Sequence, residues 1–408
     1  MPENNITKLR EVNHGSILVF LILLLFIYYS SISCDENRVT EPSGTYQYAV
    51  PQPTNDGWET ASLQSVGMNP NHLINLMNRL DEIGEHRIHS LLIIKNGKLV
   101  FEEYFPGEKF NLAQFTGETG FDENDTHNLC SATKSFTSAL IGIAIDNGFI
   151  QSVDQKVFGF FPEHSDLLST APEKQNITLE HLLTMRSGLE WDDESYPYSD
   201  PRNDINRLFN SSDPIRYILA KDLIETPGTF FAYRNCNTNV LGEIVRKASG
   251  QRLDFFARDY LFRKLGITDY EWQRLPNNVI FCSGDLRLRP RDLAKFGQLF
   301  LNGGMWENER VISQEWVDIS TRKFTSLNNW WGDVDGYGYQ WWQWENIYGV
   351  NYKAYMAAGW GGQWIVVSPD MNTVVITTAG NYYSNEPMPV QTILVNYILP
   401  SIYLSAEL

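Results

Sequence analysis

Clustered positive charge is what this 408-residue chain most lacks: 32 Lys and Arg stand against 49 Asp and Glu, a net charge of -17. A surface that follows nucleic-acid phosphates needs grouped basic side chains, so the composition argues against a nucleic-acid partner. Metal spacing is missing too. No grouping of His, Asp, Glu and Cys along the chain has the pattern of a metal site, and no motif calls for a cofactor. Internal repeats are absent, which removes solenoids and propellers. The apolar run Ile17–Tyr29 is only thirteen residues long, short of the ~20 that a spanning helix needs. Cysteines are few, at positions 34, 130, 236 and 282.

The short apolar run has its own meaning. It follows Lys8 and Arg10 and precedes small residues and Cys34, the layout of a secretory signal. Ser31-Ile32-Ser33-Cys34 resembles a bacterial lipoprotein cleavage box, with Ser31 where leucine is usual. The expectation is a signal over 1–34, lipidation at Cys34 of an exported, periplasmic or cell-surface protein, and membrane contact only through that N-terminal lipid or anchor. Three cysteines then remain, an odd number, so at least one is a free thiol. Cys130 abuts Ser131 and Cys236 abuts Asn235. They read as small wall residues, with a catalytic thiol as the alternative.

Residues 35–58 are rich in Asn, Thr, Ser, Pro and Gly without periodicity and read as a flexible linker. With 43% hydrophobic and 13% aromatic residues, the remainder can bury a large core. Asn69-Pro70 opens a helix carrying Leu73, Leu76, Met77 and Leu80 at helical spacing. The run from Leu91 to Ile94, the Asn96-Gly97 turn, and Leu99 to Phe101 form a predicted hairpin. Residues 150–270 are mostly helical, with Thr178 capping a helix through Met185 and another starting near Asn237. Strand character returns at Tyr352 to Ala358, Gln363 to Val367 and Thr373 to Thr378, and helical residues 388–405 close the chain. A sheet is therefore assembled from both ends of the sequence.

The stretch from Asn128 to Gly148 carries the chemistry. From Phe136 to Ile145 it is apolar nearly all round, as expected of a buried helix. Ser131 and Lys134, three positions apart, share one helical face. A serine hydroxyl becomes a nucleophile when a neighbouring base takes its proton, and a lysine can do so when burial and nearby cations lower its pKa. The bland alternative is Ser131 as an N-cap and Lys134 as a solvated first-turn residue. A second Ser-x-x-Lys at Ser320 to Lys323 shows how little the tetrad proves alone.

Tyr233-Arg234-Asn235 follows 102 positions after Ser131, and Gly359 a further 126 after Tyr233. With these in order, the chain resembles the serine beta-lactamase and penicillin-binding protein superfamily, in its class C-like branch of esterases and nylon-oligomer hydrolases. The likeness takes in Ile177 to Leu189, Leu288 to Leu299, Tyr337 to Trp342 and Gly359 to Pro369. It leaves Ser320 and the Tyr383-Ser384-Asn385 triplet in the wrong order. It implies an α+β, beta-lactamase/transpeptidase-like domain over 59–408, a central antiparallel sheet flanked by helices, with 150–270 as a mostly helical region. It implies an acyl-enzyme on Ser131, with Lys134 and Tyr233 as general base and acid and Asn235 orienting Lys134 or the substrate. Ala357-Ala358-Gly359 falls where lactamases carry Lys or His at the first place, with the N-H of Trp360 as second oxyanion donor beside that of Ser131. Losing that cation removes the group expected to hold a beta-lactam or peptide carboxylate. The expected substrate is a small ester or amide, with beta-lactam or D-amino-acid peptide cleavage, or silent ligand binding, as alternatives. Trp191 and Trp342 are candidate pocket walls, and His127 and His181 read as structural.

Overall fold

Asn96 and Gly97 both have positive φ, 54° and 76°, which matches the right-handed twist of a two-residue hairpin. They join Ile88–Lys95 to Lys98–Tyr104 in the computed structural model, which describes residues 45–403 apart from 112–113, 328–333, 348 and 383–386. The signal, Cys34, most of the first half of the linker, and the Tyr383 triplet lie outside the described residues.

An eight-stranded antiparallel sheet runs in the order Thr325–Ser326, Gly336–Tyr337, Trp342–Ile347, Val350–Gly359, Gln363–Ser368, Thr373–Ala379, Ile88–Lys95, Lys98–Tyr104. The two ends of the chain meet where Ile93 pairs with Val375 and Ile94 with Val374. Side chains alternate faces along each strand. Leu92, Ile94, Ile365, Val367, Val374 and Ile376 point to one core, and Leu91, Ile93, Trp364, Val366 and Val375 to the other. This is the expected α+β arrangement, a central antiparallel sheet built from both ends of the chain and flanked by helices.

Each face has its own helical layer. Asn69 accepts from the N-H of Asn71 at 3.0 Å and caps Pro70–Ile83, whose Leu73, Leu76 and Leu80 pack on one face. The other face receives Thr133–Asp146, buried from Thr133 through Ala144. Phe136 of that helix stacks on Phe296 of Pro290–Leu301 at 3.7 Å between centroids. No helix among the described residues is long and apolar enough to cross a membrane.

Two differences from the sequence reading have clear causes. Residues 45–58 do not stand free. Tyr48 donates to the carbonyl of Val100 at 2.8 Å, the indole of Trp58 donates to that of Arg291 at 3.2 Å, and Arg291 donates to the carbonyl of Gln52 at 2.9 Å. A guanidinium only 5% exposed needs many acceptors, and this extended segment supplies them. Before Ser131 the chain also adds the hairpin Pro106–Asn111 with Gln114–Gly120 and the short strand His127–Asn128, polar pieces without the alternation that marks a strand.

His127 is structural, as is His181, which joins Thr178 in a capping box on Leu179–Leu183. His127 Nδ1 lies 3.2 Å from the carbonyl of Asn128, and its Nε2 lies 2.8 Å from His89 Nδ1. One consistent assignment has both rings neutral: His127 donates to the carbonyl and accepts from His89. Burial pushes His89 down to about 2 and His127 to about 4. In the unfolded chain both take protons near 6.5, so the folded state is favoured fully above that pH and loses ground as pH falls towards 4. Burial depresses His72, His86 and His181 in the same direction. The unfolding free energy from urea titration should therefore decline from pH 7 to pH 5, by about 1–2 kcal/mol for each of the two paired rings; a value that stays level would contradict this.

Candidate active site

Ser131 sits in a short 3-10 turn, Cys130–Ala132, that feeds directly into Thr133–Asp146. Cys130 has a φ of 45°, in the left-handed region that β-carbon residues avoid. Its N-H is held by Asn128 Oδ1 at 2.9 Å, and the N-H of Leu129 by the carbonyl of Leu286 at 2.9 Å. Ser131 is not an N-cap. Its hydroxyl is engaged by Lys134, whose Nζ donates to Ser131 Oγ at 2.9 Å and to the carbonyl of Ser283 at 2.7 Å.

Lys134 is 1% exposed, and its surroundings were not legible from the tetrad. Burial disfavours the ammonium and brings its pKa down to about 7, against the opposing pull of Asp193. An amine titrating there is half neutral at neutral pH and can accept a proton from the hydroxyl it touches. Ser283 keeps its place through Asn239, which donates to Ser283 Oγ at 3.1 Å and accepts from its N-H at 3.2 Å. Asn239 lies on Asn235–Ser249, the helix that follows the tyrosine triplet.

Tyr233 completes the cluster. Lys134 Nζ lies 4.9 Å from its ring centroid, and the Ser131 hydroxyl is near enough to its phenol to favour the ionised form. Burial raises the phenol's pKa despite that neighbour, so in the free protein it is neutral and can pass a proton on. Trp342 stacks on the ring at 5.1 Å. Asn235 does not reach for Lys134; its amide donates to Asp193, which also accepts from the indole of Trp191 at 2.7 Å. Trp191 is buried in the core and serves the site by holding this carboxylate.

Gly359 explains its own identity. A β-carbon there would lie 2.1 Å from the carbonyl of Leu129 and 3.1 Å from the N-H nitrogen of Ala132, so only glycine lets the strand Val350–Gly359 lie against the serine turn. Trp360 follows, and with Ser131, Asn235, Ser283 and Phe281 it lines a cavity of about 240 Å³. Tyr198 meets Trp360 edge-on at 6.0 Å across its mouth. Among the described residues no group of His, Cys, Asp and Glu is placed to hold a metal ion.

The beta-lactamase family model matches residues 76–397. The chain belongs to the beta-lactamase family. It is 27% identical over 250 residues to the 6-aminohexanoate-dimer hydrolase of Paenarthrobacter ureafaciens, a match covering 59% of this chain and 58% of that one. Among solved structures, a protein of Bacillus anthracis provisionally assigned as a 6-aminohexanoate-dimer hydrolase superposes with a TM-score of 0.64, 20% identity and coverage of 94% and 95% of the two chains. A family VIII carboxylesterase gives 0.59 at 17% identity, over 84% of this chain and 96% of that one. At these identities the solved structures speak for the fold.

The structure brings together Ser131, Lys134, Tyr233 and Gly359, the residues that sequence reasoning singled out, and sets them among residues it did not. Asp193 was not singled out, although an acid two residues after a tryptophan was the available signal. Ser283 and Asp285, also on the cavity wall, carried no local signal. Trp191 and Trp342 are packing partners, not cavity walls: the first holds Asp193 and the second Tyr233. Trp341 and Trp344 are buried in the two cores. Burial pushes the Cys130 thiol up to about 12 and raises Cys236 and Cys282 as well, so none is poised as a thiolate.

Asp193 favours the charged form of Lys134, so removing its charge should lower the lysine's pKa further. In Asp193→Asn the acid limb of kcat/KM should move to lower pH than in the wild type, read on a soluble ester between pH 5 and 9. An unmoved limb would mean that this carboxylate does not act on Lys134.

Proposed function

We propose that this chain is a serine hydrolase that cleaves a carboxylic ester or amide through an acyl-serine. The observation that carries the reading is the buried Lys134 Nζ, 2.9 Å from Ser131 Oγ and 4.9 Å from the centroid of the Tyr233 ring. Neutral Lys134 takes the proton as Ser131 Oγ attacks the carbonyl carbon. The N-H groups of Ser131 and Trp360 receive the developing oxyanion. Tyr233 relays the proton to the leaving group, the carbonyl re-forms, and the acyl group stays on Ser131. Water then attacks by the reverse of these transfers and frees the acid.

The 6-aminohexanoate-dimer hydrolase and the carboxylesterase among the similar proteins support amide and ester chemistry. Beta-lactam or peptide carboxylate recognition is less well supported, because small, buried Ala357 and Ala358 precede Gly359 on the strand. A silent binder has no need to desolvate a lysine beneath a serine. For location we propose an exported protein held at a membrane by lipid on Cys34, on the strength of the signal-like run before it.

Ser131→Ala should lower p-nitrophenyl ester turnover by at least about 10³-fold and abolish labelling by a fluorophosphonate. Tyr233→Phe should lower kcat by about 10²–10⁴-fold while the protein keeps its circular dichroism spectrum. Full turnover in Ser131→Ala would refute the assignment.

A further inference from the structure

Asp285 is 5% exposed, yet it stands on the wall of the cavity into which Ser131 opens. It is the one charged side chain among the described residues that line that cavity; Ile205, Phe209 and Phe281 make its apolar side. One carboxylate oxygen accepts from the amide of Asn128, the residue that also holds the N-H of Cys130. Arg287 approaches that same oxygen at 3.8 Å, beyond hydrogen-bond range, and has the exposed Glu271 for a second partner. The backbone at 285 has a φ of 61°, a conformation that glycine adopts without strain and an aspartate at some cost.

A carboxylate removed from water, on a backbone it does not favour, is incompletely compensated by these neighbours. Burial outweighs Arg287 and pushes its carboxyl up to about 6. Such a group in a reaction cavity is a recognition element for something that arrives with a positive charge. Fatty or aromatic acyl chains would find the apolar side alone, and a carboxylate-bearing substrate would meet an acid with no lining cation to offset it.

We propose that Asp285 selects substrates carrying an ammonium or guanidinium on the part of the molecule that enters this cavity. The inference rests on the serine-hydrolase reading and adds a substrate class to it: cationic esters or amides, with an aliphatic or aromatic stem against Ile205, Phe209 and Phe281. The cation donates to the carboxylate oxygen that Asn128 leaves open, and Asn128 fixes the orientation of the group.

The test compares p-nitrophenyl esters of ω-guanidino acids with alkanoates of equal length and with ω-carboxy acids at pH 8, where Asp285 is charged. In the wild type kcat/KM should favour the guanidino ester over the alkanoate by about tenfold or more and place the carboxy ester last. In Asp285→Asn the guanidino-to-alkanoate ratio should fall close to one, and in the control Glu271→Gln it should stay as in the wild type. The ratio is taken within each variant, so a general loss of activity cancels. Protection of Ser131 from a fluorophosphonate by n-butylguanidinium, present in the wild type and lost in Asp285→Asn, gives a readout that needs no turnover. A wild type without the preference, or a ratio unchanged in Asp285→Asn, overturns the inference. If alkanoate hydrolysis still depends on Ser131, the serine mechanism survives that failure; if it does not, the serine mechanism has failed separately.

Discussion

Taking the ammonium of Lys134 out of water is the constraint on which the rest of the site depends. In an exposed first turn the group would stay protonated near 10.4 and could only donate to Ser131. Here it lies under a helix buried on all sides, and burial lowers its pKa by disfavouring the charged form. The environment is not wholly apolar. The carbonyl of Ser283 accepts one N-H, and Asp193 keeps some of the cation's stability. Burial and partial compensation together put the amine near neutrality. The neighbouring phenol is also buried, so its pKa moves the other way and it keeps its proton. In the proposed mechanism one physical cause thus divides the roles of the two groups: desolvation makes a base of the amine and a proton carrier of the phenol.

The fold makes this burial feasible by bringing distant pieces to one turn. The first strand of the hairpin pairs with Thr373–Ala379 from the far end of the chain, which creates a two-faced apolar slab for the Ser131 helix to lie against. The sheet's Val350–Gly359 strand reaches the serine turn closely enough to forbid any side chain at Gly359. From the other side, the segment around Ser283 is stitched to the same helix: the N-H of Leu286 donates to Thr133 Oγ1 at 3.2 Å and Thr137 Oγ1 to the carbonyl of Cys282 at 3.0 Å. The helix carrying Asn239 then fixes Ser283. The residues that line the cavity therefore come from widely separated stretches of the chain.

This explains what could be read from the sequence. Ser131, Lys134 and Tyr233 were legible because their order matches that of the family the chain resembles, and five of the sheet's eight strands were legible because Val, Ile and Leu recur there in short runs; the strands within 325–347 lack such runs. The linker was read through residue 58 because Asn, Pro and Thr look like tether, and nothing nearby announces that Arg291, more than two hundred positions later, needs their oxygens. Trp191 read as a candidate pocket wall, although burial of its ring and one bond to Asp193 decide its role. Asp285 gave no sign at all. Its partner Asn128 is 157 residues away, and its significance comes from a cavity that exists only once the chain is folded.

The most direct measurement is the pH dependence of the rate at which a fluorophosphonate inactivates the enzyme, because it reports proton removal from Ser131 without the later steps of turnover. A neutral amine at Lys134 predicts a rate that rises with pH through a single midpoint near 7. A rate that remains low until pH 9 and rises only towards the ordinary range of lysine would show that residue 134 keeps its proton, and would contradict the account.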